Sequence, residues 1–210
     1  YSGHFPRLHP SDFKVKSMDN IADDWPINYS DLVSYFELNE KMMKIKGVTG
    51  DTANPPYKFL RPNIPLGKIG IEMGKAFNKK KWHWWPSYSA ITEDSNNKNI
   101  VSSVNTTYWP EAKQNGVRVY TDKQVFKIIL NENGLCEGVL YKDKTGNEYL
   151  CKSKIIILAC NGVGTPRLLL NSKSKNFPKG LLNNNDIVGK NLMLHPLAYI
   201  EGCFNKNLYS

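Results

Sequence analysis

The sequence of 210 residues has little arginine, little cysteine and no long apolar run. No stretch approaches the roughly 18 consecutive apolar residues that a membrane-spanning helix needs, so no membrane span is predicted. The four cysteines form no CxxC pair and no cluster with histidine, which argues against a zinc site. Reduced cysteines used as small hydrophobic side chains are the favoured interpretation, and the spacing alone leaves disulfides open. These cysteines are Cys136, Cys151, Cys160 and Cys203.

The positive charge of the chain is carried almost entirely by lysine. The formal net charge is +9, with 28 lysines and arginines against 19 acidic residues, and only four of these cations are arginines. Proteins that read phosphates and base edges favour arginine for its bidentate geometry. Lys79-Lys80-Lys81 is the only run of three lysines. The composition therefore predicts no nucleic-acid partner. A basic, non-catalytic binding module stays as an alternative, which a steep salt dependence of DNA binding would support.

Two helices are predicted in the first hundred residues. The first begins with Ser30 as its cap and ends at Gly47 or Gly50, and the second spans Leu66–Lys80. Four prolines in residues 51–66 exclude any regular element between them. The inward faces are expected to consist of Leu32, Tyr35, Phe36, Asn39 and Met43 in the first helix and of Ile69, Met73, Ala76 and Phe77 in the second.

A dense aromatic patch, Trp82-His83-Trp84-Trp85-Pro86, follows the second helix. Packing between subdomains is the favoured interpretation, because aromatic side chains dominate core energetics. The alternative is a ligand-facing wall with His83 as its polar group. Residues 92–100 are polar and predict a loop, and a helix is expected near Thr106–Asn115 with Pro110 in its first turn.

The second half of the chain is rich in β-forming residues. A short strand is predicted at Val117–Tyr120, and a three-stranded meander follows it. Asn133-Gly134 and Thr145-Gly146 mark its two tight turns. The predicted strands of the meander are Val125–Asn131, Leu135–Lys142 and Asn147–Cys151.

A strand, a bend and a helix are predicted after the meander. Lys154–Ala159 is continuously apolar after its first residue, which is typical of a parallel strand buried on both faces. Cys160–Gly164 forms a glycine-containing bend, and Thr165-Pro166 is expected to begin a helix. Such a bend at a helix N-terminus is where α/β sheets bind nucleotides. Close packing of helix and strand explains the two glycines equally well.

Two segments of this half resemble the glucose–methanol–choline (GMC) flavin oxidoreductases. IIILACNGVGTPRLLLNS (155–172) is similar to the second signature of that family, with Asn161 where glycine or serine is usual and Lys173 in place of the final glycine. IVGKNLMLHP (187–196) resembles the family's V-G-x-N-L-x-D-H-P stretch, with Leu194 in place of aspartate.

Three upstream segments carry the resemblance over nearly the whole chain. FPRLHPSDF (5–13), ADDWPINYSDL (22–32) and WHWWPS (82–87) resemble a bacterial branch related to choline and gluconate dehydrogenases. That branch carries a Cys-rich insertion after the aromatic patch, whereas residues 92–102 contain no cysteine. The sequence therefore does not indicate by which route the substrate enters.

The resemblance implies a mixed α/β fold and an interior segment of a longer FAD-dependent enzyme. Residues 1–100 are expected to form a helical and irregular part of the extended FAD-binding and substrate-side region. Residues 101–192 would belong to the FAD-binding Rossmann-like domain with its meander, and 193–210 would begin the substrate domain. The family's GxGxxG fingerprint and catalytic histidine are expected outside the 210 residues, so no catalytic residue is assigned.

Three residues are carried over from the family as FAD contacts. Thr121–Val125 matches the T-x-x-x-V context in which the valine main chain meets the adenine. The main chain of Ala159 and Cys160 is expected near the adenosine end. A redox role for the Cys160 thiol is not expected, because burial at a strand end raises a thiol pKa. His195 is assigned a structural role, since the family keeps its catalytic histidine elsewhere.

The implied activity is oxidation of a CH–OH group, in a small-molecule alcohol, polyol or sugar acid, by hydride transfer to flavin. Another FAD-binding protein with a similar meander is the closest alternative. Flavin absorbance would separate both from the basic binding module. The sequence does not indicate the electron acceptor or the compartment.

Overall fold

The computed structural model describes residues 3–93, 96, 98–194, 198–205 and 207–208. The chain divides into two units, residues 1–117 with 202–210 and residues 118–201. In chain order the elements are a 3-10 helix (Pro10–Phe13), α1 (Val15–Asp19), α2 (Tyr29–Met43), α3 (Gly67–Lys79), β1 (Ile91–Glu93), β2 (Asn99–Val101), α4 (Tyr108–Gln114), β3 (Gln124–Leu130), β4 (Cys136–Lys142), β5 (Glu148–Lys152) and α5 (Asn161–Asn171).

Helix α2 begins one residue before the predicted cap Ser30. The Asn28 N–H donates to the Asp31 carboxylate at 2.8 Å, which satisfies a backbone donor just before the helix. The helix ends at Lys44, whose φ of 56° breaks the helical path before either predicted glycine. Met43 packs into the core of this unit, whereas Tyr35, predicted to face inward, is exposed. The core residues of the unit are Met43, Ile45, Tyr57, Tyr88 and Ala90.

Helix α3 forms over the predicted residues but buries a different face. Gly74 is buried because the Trp84 indole lies against it, and a Cβ atom at this position would come within 2.6 Å of that ring. The prediction was wrong for three side chains that were expected to point inward and are exposed, those of Ile69, Met73 and Ala76. Phe77 alone of the predicted face is half-buried.

The other expectations for the first unit largely hold. Residues 51–66 contain no helix or extended strand in the structure, and α4 forms with Pro110 in its first turn. The loop predicted for 92–100 is shorter than expected, because Ile91–Glu93 pairs antiparallel with Asn99–Val101.

The second unit contains the predicted meander. Strand β4 lies between β3 and β5, and both pairings are antiparallel. Gly134 and Gly146 take φ values of 77° and 88° in the two turns, a conformation that favours glycine. Both sheets are antiparallel, and together with the helices they give the predicted mixed α/β class.

Two predicted strands do not form among the described residues. Val117–Tyr120 and Lys154–Ala159 have no strand partner there, and a β-strand needs a neighbour for its backbone hydrogen bonds. In the second segment Ile156 and Leu158 pack on the core of this unit, whereas Ile155 and Ile157 are 77% and 86% exposed. The side chains of this segment thus alternate between packed and exposed as they do in a strand, although its backbone has no strand partner among the described residues.

Helix α5 begins at Asn161, four residues before the predicted Thr165 cap. The prediction was wrong because Asn161 itself turns the chain, with a φ of 63°. Pro166 therefore lies inside the helix.

Candidate cofactor-binding site

A cavity of about 330 Å³ lies between the start of β3 and one side of α5, from Cys160 before the helix to Asn171 at its end. Two of the three residues assigned from the sequence, Val125 and Cys160, both line it. Ala159 directly precedes it and is exposed, but is not among its lining residues. Ligand cavities in proteins begin at about 300 Å³, so the volume suits one ring system and not a whole dinucleotide.

The backbone beside Val125 departs from the regular ladder. The register of β3 against β4 shifts between Val125 and Lys127, so that Phe126 has no opposite residue on β4. A bulge of this kind leaves main-chain groups of the strand outside the ladder, and bulges are frequent beside binding sites. Phe126 also lines the cavity. The chain thus offers backbone groups, and not only side chains, at this position.

Ser172 fixes the two walls of the cavity against each other. Its Oγ accepts a hydrogen bond from the Ile128 N–H at 2.9 Å and donates one to the Leu168 carbonyl at 2.6 Å. The residue is 3% exposed and lies beside the core formed by Ile128, Leu168 and Leu181. The sequence places Ser172 in the signature motif but gives no role for it, because its partner is 44 residues away along the chain.

Two N-terminal amides of α5, and the amide of the residue before it, are already hydrogen-bonded. The Asn161 side-chain oxygen accepts from the N–H groups of Val163 and Gly164 at 2.9 and 3.0 Å. The Cys160 N–H donates to the Thr165 hydroxyl at 3.2 Å. Free amides at a helix N-terminus are what bind phosphate. These three are taken, so the site suits a neutral ring better than a pyrophosphate.

Cys160 is exposed, which corrects the burial expected for it at a strand end. The other three cysteines are exposed as well, and no disulfide links any of the four. The prediction of reduced cysteines is thus confirmed, whereas their use as packed hydrophobic side chains is not. Within the described residues no group of three histidine, cysteine or acidic side chains could hold a metal ion.

A second cavity, of about 450 Å³, lies on the other side of Val125. Tyr120, Lys123 and Tyr141 are among its lining residues. The Lys123 ammonium lies 5.4 Å from the centroid of the Tyr141 ring, within cation–π range. The start of β3 is therefore flanked by two concave surfaces, of which only the first also contacts α5.

The aromatic patch 82–86 is held by contacts within its own unit. The Trp84 indole N–H donates to the Asn78 side chain at 2.9 Å, and the Trp85 indole N–H donates to the Val48 carbonyl at 2.9 Å. Trp84 and Trp85 are thus packed within one unit, and packing of the patch between subdomains stays a prediction.

His83 contacts the Asp51 carboxylate at 2.9 Å. Burial of Asp51 would raise its pKa, but hydrogen bonds from the Ala53 N–H, the Asn54 side chain and His83 hold it below its ordinary value. The carboxylate thus stays ionised and anchors the imidazole. His195 lies outside the described residues.

A buried ion pair in the first unit was not found from the sequence. The Arg7 guanidinium donates to both carboxylate oxygens of Glu40 and, at 2.9 Å, to the Tyr29 hydroxyl. It also lies 4.4 Å from the centroid of the Tyr57 ring. Burial raises the pKa of Tyr57 to about 12. The hydrogen bond that the Arg7 N–H donates to the Tyr57 hydroxyl acts in the opposite direction and lowers this pKa. This cluster joins segments up to 50 residues apart, which explains why no local pattern indicated it.

No helix of the described part is long and apolar enough to cross a membrane. The prediction that the chain has no membrane-spanning helix agrees with this.

The model of one protein family, GMC oxidoreductase, matches residues 16–197. The chain is similar to 2-methyl-1,2-propanediol dehydrogenase of Mycolicibacterium austroafricanum, with 33% identity over 100% of this chain and 44% of the relative. That alignment runs over 243 positions, more than the 210 residues here, so the relative carries residues that this chain lacks.

Two further relatives are more distant. The fructose dehydrogenase large subunit of Gluconobacter japonicus is 23% identical over 90% of this chain and 38% of its own length. The 6'''-hydroxyparomomycin C oxidase of Streptomyces lividus is 22% identical over 96% of this chain and 41% of its own length. The chain thus spans less than half the length of each of these three relatives.

Proposed function

Because the chain belongs to the GMC oxidoreductase family, we propose that it is part of an FAD-dependent enzyme that oxidises a CH–OH group of an alcohol, polyol or sugar acid. The observation that carries the proposal is the family match over residues 16–197. Relatives named as a diol dehydrogenase, a sugar dehydrogenase and an aminoglycoside oxidase support a hydroxylated substrate. When bound, the flavin accepts a hydride from the CH–OH carbon.

In this proposal the chain itself binds the adenine end of FAD. The main chain of Val125, at the bulge of β3, that of Ala159 and the carbonyl of Cys160, before α5, supply the hydrogen bonds to the ring. The two walls of the cavity support this assignment because Val125 and Cys160 both line it. The satisfied amides of α5 agree with a pyrophosphate bound elsewhere. The substrate domain, proposed to begin at residue 193, would take no part in this contact.

A pair of substitutions at Val125 tests the proposal in the complete protein. Val125→Ala keeps the amide, so we expect it to retain FAD. Val125→Pro removes the amide donor, so we expect flavin to be lost. Flavin content is measured from the absorbance of the purified protein at about 450 nm, a wavelength at which bound flavin absorbs. Val119→Pro, in an exposed segment outside the sheet, is the control for the introduction of proline.

Two outcomes would contradict the proposal. Equal flavin occupancy in Val125→Ala and a folded Val125→Pro would refute the main-chain contact at Val125. A complete wild-type protein that purifies without flavin and takes none up would refute the function itself. Circular dichroism of both variants separates loss of FAD from loss of fold.

A further inference from the structure

Helix α3 exposes a stripe of apolar side chains to solvent. Its buried face consists of glycine and Phe77, with Trp84 packed against Gly74. Leu66, Ile69 and Met73 recur at a spacing of three and four residues and therefore share one side of the helix. They are 42%, 48% and 44% exposed. An apolar stripe on a helix ordinarily packs against a protein core. In α3 the stripe is exposed and lies next to the buried face.

A second stripe, of lysines, runs along the same helix. Lys68, Lys75 and Lys79 recur at a spacing of seven and four residues and so lie on one side of the helix, and Lys80 and Lys81 follow at its end. Glu72 is the only acidic residue between 66 and 82, and it pairs with Lys75 at 2.9 Å. The segment therefore combines five lysines with one carboxylate.

Trp82 completes this surface at the C-terminal end of the helix. Its side chain is 57% exposed, and its ring stacks at 6.1 Å from that of Phe77. The Lys80 ammonium lies 5.4 Å from the centroid of the Trp82 ring. Tryptophan beside lysine is typical of positions at the level of lipid headgroups, where the ring has an apolar body and a polar edge.

We propose that residues 66–82 bind the surface of an anionic lipid bilayer, with the helix in the plane of the interface. The apolar stripe enters the boundary between headgroups and acyl chains, and the lysines meet the anionic headgroups. An acidic protein partner would use the lysines but would not require an exposed apolar stripe and tryptophan next to them. The combination of both surfaces on one helix is what favours lipid.

Vesicle co-sedimentation of the complete protein tests the proposal. We expect binding to phosphatidylcholine vesicles that contain phosphatidylserine and much weaker binding to phosphatidylcholine alone. Replacing Lys79, Lys80 and Lys81 by glutamine reduces the partition coefficient about 100-fold, since each lysine near an anionic surface is worth roughly a factor of five. The matched control replaces Lys173, Lys175 and Lys179, three exposed lysines of the other unit, and keeps the wild-type affinity.

Three further variants test the apolar stripe and the tryptophan at its end. Ile69→Asp and Met73→Asp, at exposed positions, abolish binding at any salt concentration, and Trp82→Phe removes a blue shift of the tryptophan emission on vesicles. Absence of wild-type binding to anionic vesicles overturns the proposal. Equal losses in both lysine triples also overturn it, because attraction would then follow net charge. Unchanged vesicle binding of Ile69→Asp overturns it as well, because the apolar stripe would then take no part in the contact with lipid.

Discussion

Ser172, directly after helix α5, links strand β3 to the end of that helix by hydrogen bonds. Replacing it by alanine leaves the buried Ile128 N–H without its acceptor. An unsatisfied buried donor costs about 1–3 kcal/mol, so the free energy of unfolding falls by that amount for Ser172→Ala. Urea denaturation of the chain measures the loss. Ser30→Ala, at an exposed helical position, changes stability by less than about 0.5 kcal/mol and serves as the control. A loss no larger than that of the control would show that the Oγ contact is dispensable.

Tyr57 provides a pH-dependent prediction at the same scale. Its pKa is raised to about 12 in the folded chain, against about 10 in an unfolded one. The neutral hydroxyl is therefore favoured by folding. This contribution is complete below about pH 10 and is lost as the pH rises through about 12.

Tyrosinate absorbance during an alkaline titration checks this value. Tyr57→Phe removes from the curve the group that titrates at about 12. If this variant instead loses absorbance at about pH 10, the ordinary pKa of tyrosine, burial does not hold the Tyr57 proton.

At the scale of elements, helix α5 depends on Asn161 in two ways. The side chain caps two amides, and the backbone takes a φ of 63°, which alanine adopts only with strain. Asn161→Ala loses both and destabilises the chain by about 1–2 kcal/mol. Asn161→Gly loses only the acceptor and costs a few tenths of a kcal/mol. Thermal unfolding of the two variants ranks them, and an equal loss in both would remove the backbone from the explanation.

Local periodicity explains which elements could be predicted. The alternation of the meander and its Asn-Gly and Thr-Gly turns predicted β3, β4 and β5 to within one or two residues. The continuous apolar run of Lys154–Ala159 did not predict whether this segment would find a strand partner, which depends on residues distant in sequence. The apolar side chains of α3 were predicted to form its buried face. In the structure the face with Gly74 is buried instead, because the Trp84 ring packs against it.

Some residues of the candidate site could likewise be predicted from the sequence, and others could not. The family motif led to Val125 and Cys160, which the fold brings to one cavity. Ser172, the bulge at Phe126 and the capping by Asn161 could not be found without the paired strands, because each is defined by a backbone group elsewhere. The Arg7–Glu40 pair likewise has no signature in the local sequence.

At the scale of the whole molecule, the 210 residues contain no G-x-G-x-x-G pattern, and the Val163 and Gly164 amides at the helix N-terminus beside the cavity are bonded to Asn161. Under the proposed function, the chain alone would bind adenine through a few hydrogen bonds, each worth roughly 1 kcal/mol, without the pyrophosphate contact. We expect little FAD to remain with the chain after gel filtration and no turnover of an added alcohol. Stoichiometric flavin in a monomeric sample would show that these residues suffice.

The Ile128–Ser172 hydrogen bond also has a kinetic consequence. The strands of the meander follow one another directly, so their contacts close short loops, whereas α5 must return across 44 residues to reach β3. Short loops close at a lower entropic cost and form early. In pulse-labelling hydrogen exchange, the amides between β4 and β5 therefore acquire protection before that of Ile128. The cavity between β3 and α5 therefore forms after the sheet during folding, and a newly made chain passes through a state in which the sheet is formed and the cavity is not.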